Sequence, residues 1–103
     1  MKIIELLTEN IEEEISDAKK YAKLAAHYKN EYPDLANAFY DLSTAELGHM
    51  ETLHRQVTQI INKYKAEKGE PPAVMLAVYN YLHDKQIEKV AEVKRYQEQY
   101  KKM

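Results

Sequence analysis

The sequence predicts an all-α fold, an antiparallel helical hairpin followed by a third helix, with a four-helix bundle completed only when a second copy joins. Three observations carry this. The 103 residues hold two Gly and three Pro against abundant Ala, Leu, Glu, Lys and Gln, a composition that favours long helices over a turn-rich sheet. Apolar residues recur at alternating steps of three and four, the period of a packed helix face. Those apolar stripes are interrupted midway by ionisable side chains, at places where a second chain can meet them.

The breaks fall at Asn30-Glu31-Tyr32-Pro33 and at Gly69-Glu70-Pro71-Pro72, because Gly favours helix ends and Pro fits a first turn but not an interior. They predict helices over about 3–29, 33–67 and 72–100 within one domain spanning 1–103, ends uncertain by roughly two to four residues. Short connections make sequential helices antiparallel neighbours. In the first helix the inward stripe runs Ile4, Leu7, Ile11, Glu14, Ala18, Tyr21 and Ala25. In the second it runs Leu35, Phe39, Leu42, Glu46, His49, Leu53, Gln56 or Val57, and Ile60. The third helix is expected to brace the outside of the hairpin or swap onto a partner, and the basic tail from Tyr96 to Met103 to fray.

Composition also excludes. With no Cys there is no disulfide framework, thiolate chemistry or rubredoxin-type iron site, and a reducing, cytoplasmic setting is expected. A net charge of −2 with interspersed signs lacks the basic stripe of a nucleic-acid footprint. Met1 to Leu7 is too short an apolar stretch for a signal segment or a membrane span.

Glu14, Glu46 and His49 carry the chemistry. A carboxylate in an apolar seam costs several kcal/mol, whereas a buried Leu contributes roughly 1.5–3 kcal/mol. A divalent cation offsets all three substitutions together: two carboxylates cancel its charge and a neutral imidazole completes an N/O ligand set. Residues three apart on a helix sit about 5–6 Å apart at Cβ, so Glu46 and His49 can converge on one ion while Glu14 approaches from the facing helix. One chain offers half of a two-metal ligand set, and a two-fold axis between two hairpins would supply the rest. The expected assembly is a homodimer or a higher oligomer of dimers.

The run Glu14-Ile-Ser-Asp-Ala-Lys-Lys-Tyr21, with Phe39-Tyr-Asp-Leu-Ser-Thr-Ala-Glu46-Leu-Gly-His49, resembles the first helix pair of rubrerythrins and related ferritin-like proteins over residues 11 to about 57. The resemblance implies a ferritin-like fold with Glu14, Glu46 and His49 as metal ligands and Tyr21 as a hydrogen-bond partner behind them. It implies iron, two ions per dimer, with ferroxidase or peroxide-reducing activity in iron handling or oxidative stress; manganese accepts the same donors. Full-length relatives carry a second pair with another E-x-x-H, and its absence here is similar to the short, encapsulated ferritin-like proteins. A shell or redox partner, and a place inside a protein compartment, follow as expectations.

Blander readings stand beside these. The same helices can form a metal-free assembly module that only dimerises and docks to a partner. A second E-x-x-H, Glu51-Thr52-Leu53-His54, lies on a less apolar face and reads as a surface or third-helix contact. His83 shares a face with Tyr79, Ile87 and Val90 and is a packing residue held as a reserve ligand. His27 sits at a helix end, and Tyr28, Tyr40, Tyr64, Tyr96 and Tyr100 read as core-edge or interface side chains.

Overall fold

The computed structural model describes residues 1–103 as three helices and no strand: α1 (Lys2–Tyr28), α2 (Pro33–Lys68) and α3 (Ala73–Lys102). Each end lies within about two residues of its expected position. Pro33 opens α2 in its first turn with Asp34 beside it, where a missing N–H costs nothing and a negative charge meets the positive end of the helix dipole. Gly69 closes α2 at φ 83°, a backbone region that side-chain-bearing residues avoid, and its N–H bonds to the Lys65 carbonyl at 3.0 Å. At about 1.5 Å per residue, the 36 residues of α2 span nearly the whole 56 Å long axis of the molecule.

Small residues set the α1–α2 contact. Ala18, Ala22 and Ala25 of α1 and Ala36 of α2 are fully buried, so the two backbones approach closely. Within this contact the buried Ser43 hydroxyl donates to the Ala18 carbonyl at 2.7 Å and accepts from Gln97 Nε2 of α3 at 2.9 Å. This one hydroxyl ties all three helices together. The main core gathers Ile11, Ile15, Ala18, Ala22, Leu47, Val57 and Val93, and a smaller cluster of Ala25, Ala36 and Tyr100 closes the other end.

α3 braces the hairpin within the same chain, running parallel to α1 and antiparallel to α2. Lys19 pairs with Glu92 at 2.8 Å, and the Lys23 and Lys29 ammonium groups lie over the Tyr96 and Tyr100 rings. Tyr100 is buried and stacks on Tyr40, and the Lys29 ammonium donates to its carbonyl. The tail expected to fray is therefore helical through Lys102, because an aromatic anchor sits one turn from its end.

The stripe reading of the hairpin needs one correction. Leu35 and Leu42 were expected to point inward, yet they are exposed, while Ile15, Ala22, Ser43 and Leu47, one helix row over, are buried. α1 and α2 each carry two adjacent apolar rows, and α3 covers only one pair. The uncovered pair contains Glu14, Tyr21, Phe39, Glu46 and His49.

Replacing Ser43 by Ala removes the donor to Ala18 and strands the Gln97 amide, so the substitution is expected to cost about 1–3 kcal/mol of folding free energy, measured by urea denaturation.

Candidate metal centre

The antiparallel register fixed at Ser43 and Ala18 brings Glu14 level with Glu46 and His49, four helix residues away along α1 from Ala18 and three and six away along α2 from Ser43. One donor atom from each of the three lies within 4.8 Å of the others. His49 Nδ1 stands 3.5 Å from Glu14 Oε2 and 3.7 Å from Glu46 Oε2. These separations exceed a good hydrogen bond and match the spread of atoms gathered around a point between them.

The environment of each donor differs. Glu14 Oε2 is buried and has no hydrogen-bond partner. Orphaned buried carboxylate oxygens are costly and uncommon, and a divalent cation is a partner that would satisfy this atom. Glu46 is largely shielded, with 18% of its side chain exposed, whereas the His49 imidazole is 62% exposed on the open face of the hairpin. Donors to one ion at about 2.0–2.2 Å sit at most about 4.4 Å apart, so the three residues fit a small divalent cation with adjustments of a few tenths of an ångström. Two carboxylates and an imidazole are a donor set suited to iron or manganese.

A family model for rubrerythrin matches residues 5–103. The chain belongs to the rubrerythrin family. The match reaches past the hairpin motif through all of α3. Comparison with curated proteins and with solved structures yields no match.

Other residues of this rubrerythrin-family chain fall into place around the cluster. Tyr21 stacks on Phe39, centroids 6.0 Å apart, which packs the uncovered rows of α1 and α2 against each other on the side of the centre nearer the α1–α2 turn. Its ring does this rather than bonding to Glu14 or Glu46. His83 stands apart from the three donors: it meets His54, the histidine of the second E-x-x-H, across the α2–α3 interface. Of the two expectations for Glu51–His54, a surface or a third-helix contact, His54 takes the second. That two single histidines would meet each other was not readable, because the phase between α2 and α3 depends on how the chain turns at Gly69 and Pro71.

Burial, and secondarily the neighbouring His83, hold the His54 imidazole below its usual range. A histidine whose folded pKa lies below its unfolded one adds stability that is complete above the unfolded value near 6.5 and declines as pH falls toward the folded value. Two outcomes follow. In an NMR titration His54 is expected to titrate below the ordinary imidazole range, and His83→Ala is expected to move it part-way back. Replacing Glu14 by Leu is expected to stabilise the metal-free chain by on the order of 1 kcal/mol in a denaturation experiment, while metal-dependent stabilisation is lost.

Proposed function

We propose that this chain is a ferritin-like two-metal oxidoreductase whose centre is completed between two copies, using iron for ferrous-iron oxidation or peroxide reduction. The observation that carries the proposal is the orphaned Glu14 Oε2, held beside Glu46 and an outward-facing His49. Membership of the rubrerythrin family, which typically binds iron, supports the choice of metal.

Exposure supports a second copy. On the same open face as the centre lie Ile3, Leu6, Leu35 and Leu42, all between 43% and 51% exposed. Burying apolar surface stabilises by roughly 25 cal/mol per Å², and a two-fold related hairpin laid on this face would bury those side chains with His49. Two copies contribute four carboxylates and two imidazoles, the set used by two-metal carboxylate bundles.

When bound, a pair of iron ions supplies the electrons that reduce dioxygen or peroxide. The protein's part is to hold the donors. Glu14 is fixed by α1 packing through Ile11, Ile15 and Ala18, and Glu46 and His49 are fixed one turn apart beside the buried Leu47. The partly shielded carboxylates would balance positive charge, and the Tyr21–Phe39 stack packs beside them on the side nearer the α1–α2 turn. For peroxide reduction the centre would need re-reduction by an electron donor, whereas in ferrous-iron oxidation the iron is itself the reductant.

Anaerobic addition of ferrous iron followed by air should give a rapid rise in near-ultraviolet absorbance, with about two irons bound per dimer by elemental analysis. Glu46→Ala should slow that oxidation at least about tenfold, and sedimentation should show dimers or multiples of dimers. Unchanged oxidation in Glu46→Ala, or a strictly monomeric iron-loaded chain, would overturn the reading.

A further inference from the structure

The second E-x-x-H motif is not absorbed by the carboxylate centre, and neither is His83. Their imidazoles face each other between α2 and α3, with His54 Nε2 3.2 Å from His83 Nδ1 and ring planes 22° apart. His83 is held from its other side by Tyr79, stacked at 5.9 Å and 13°. Both rings are half-buried and line a cavity open to water, with Glu51 at one edge, one turn before His54 on the same helix.

We propose that His54 and His83 form a second cation site, distinct from the carboxylate centre, that takes a borderline transition-metal dication of the Zn2+ type and clamps α3 to α2 within one chain. The spacing of the two nitrogens is compatible with a chelating pair. An ion about 2.0–2.1 Å from two nitrogens 3.2 Å apart subtends about 100–106° between them, close to the tetrahedral angle Zn2+ prefers. As a hydrogen bond, 3.2 Å is at the long limit, and it uses one proton and one lone pair. Chelation needs a lone pair on both atoms, which two neutral imidazoles provide by carrying their protons on His54 Nδ1 and His83 Nε2. No proton leaves; one ring changes tautomer. Burial already favours the neutral, ligating form of His54.

Glu51 borders the same cavity from an exposed position, and water would fill the coordination that the two imidazoles leave open. Arg55 and Lys94 also border the cavity, but Arg55 is directed to the Thr52 hydroxyl at 3.3 Å and both are exposed to solvent, which screens their charge. Two imidazoles without a buried carboxylate favour zinc or copper over the harder ions suited to the first centre. A clamp here would tie the first half of α3 to α2, where Val74, Val78 and Tyr81 are exposed.

The test uses the full chain with Glu14, Glu46 and His49 each replaced by Ala, so that the first centre cannot answer for the second. Isothermal titration with Zn2+ is expected to give one ion per chain and a rise in melting temperature. Adding His83→Asn or His54→Asn is expected to weaken binding at least tenfold and abolish that rise, with helicity checked by circular dichroism. Zinc X-ray absorption on the triple variant needs no change at the pair and is expected to show two imidazole ligands. Absence of Zn2+ binding in the triple variant, binding that survives both Asn substitutions, or an absorption spectrum without paired imidazole scattering overturns the proposal. None of these outcomes bears on iron oxidation by the wild-type chain, which tests the first centre alone.

Discussion

The structure depends on the register between α1 and α2, and that register depends on how closely two helix backbones can approach. A row of alanines with a single serine gives the contact its depth, and the Ser43 hydroxyl gives it its phase by reaching the Ala18 carbonyl. A slip of one turn would move the facing positions by about 5.4 Å, enough to part Glu14 from Glu46 and His49. Small side chains thus set the spacing of the three candidate donors. They do so without depending on metal, since the packing exists in the chain alone.

Function and stability pull against each other on the open face. A chain built only for stability would place aliphatic residues at 14, 46 and 49, continuing the rows begun by Leu7 and Leu53. It carries an orphaned carboxylate oxygen and an exposed imidazole instead. In the proposed two-copy centre, a cation would give that oxygen a partner and a second copy would cover the imidazole and its apolar neighbours.

α3 is attached in two manners. Along α1 and at its C-terminal end it is anchored by the Lys19–Glu92 pair, by Gln97 on Ser43 and by the Tyr40–Tyr100 stack. Nearer its beginning the polar side-chain contact with α2 is a pair of imidazoles, groups whose interaction changes with protons in a way that aromatic stacking does not. The family match across all of α3 makes this helix part of the rubrerythrin domain, although its sequence carries no E-x-x-H.

Much was legible before any coordinates. Pro33, Gly69 and Pro72 punctuate the chain, and local backbone chemistry alone fixes helix ends, so three helices were readable to within about two residues. The Glu46–His49 spacing places both donors on one face by helix geometry, and the interruption of an apolar row by Glu14 marked the third. What periodicity left open was which of two adjacent rows α3 would cover. Leu35 and Leu42 face outward, and Ile15 and Leu47 inward, because a helix with a broad apolar face has two equivalent ways to be half-buried and only the competition among all three helices selects one. The meeting of His54 and His83 was equally a tertiary decision. A sequence states local spacing, since bond geometry is carried by neighbours in the chain; the relative rotation of distant helices is settled by packing summed over the whole core.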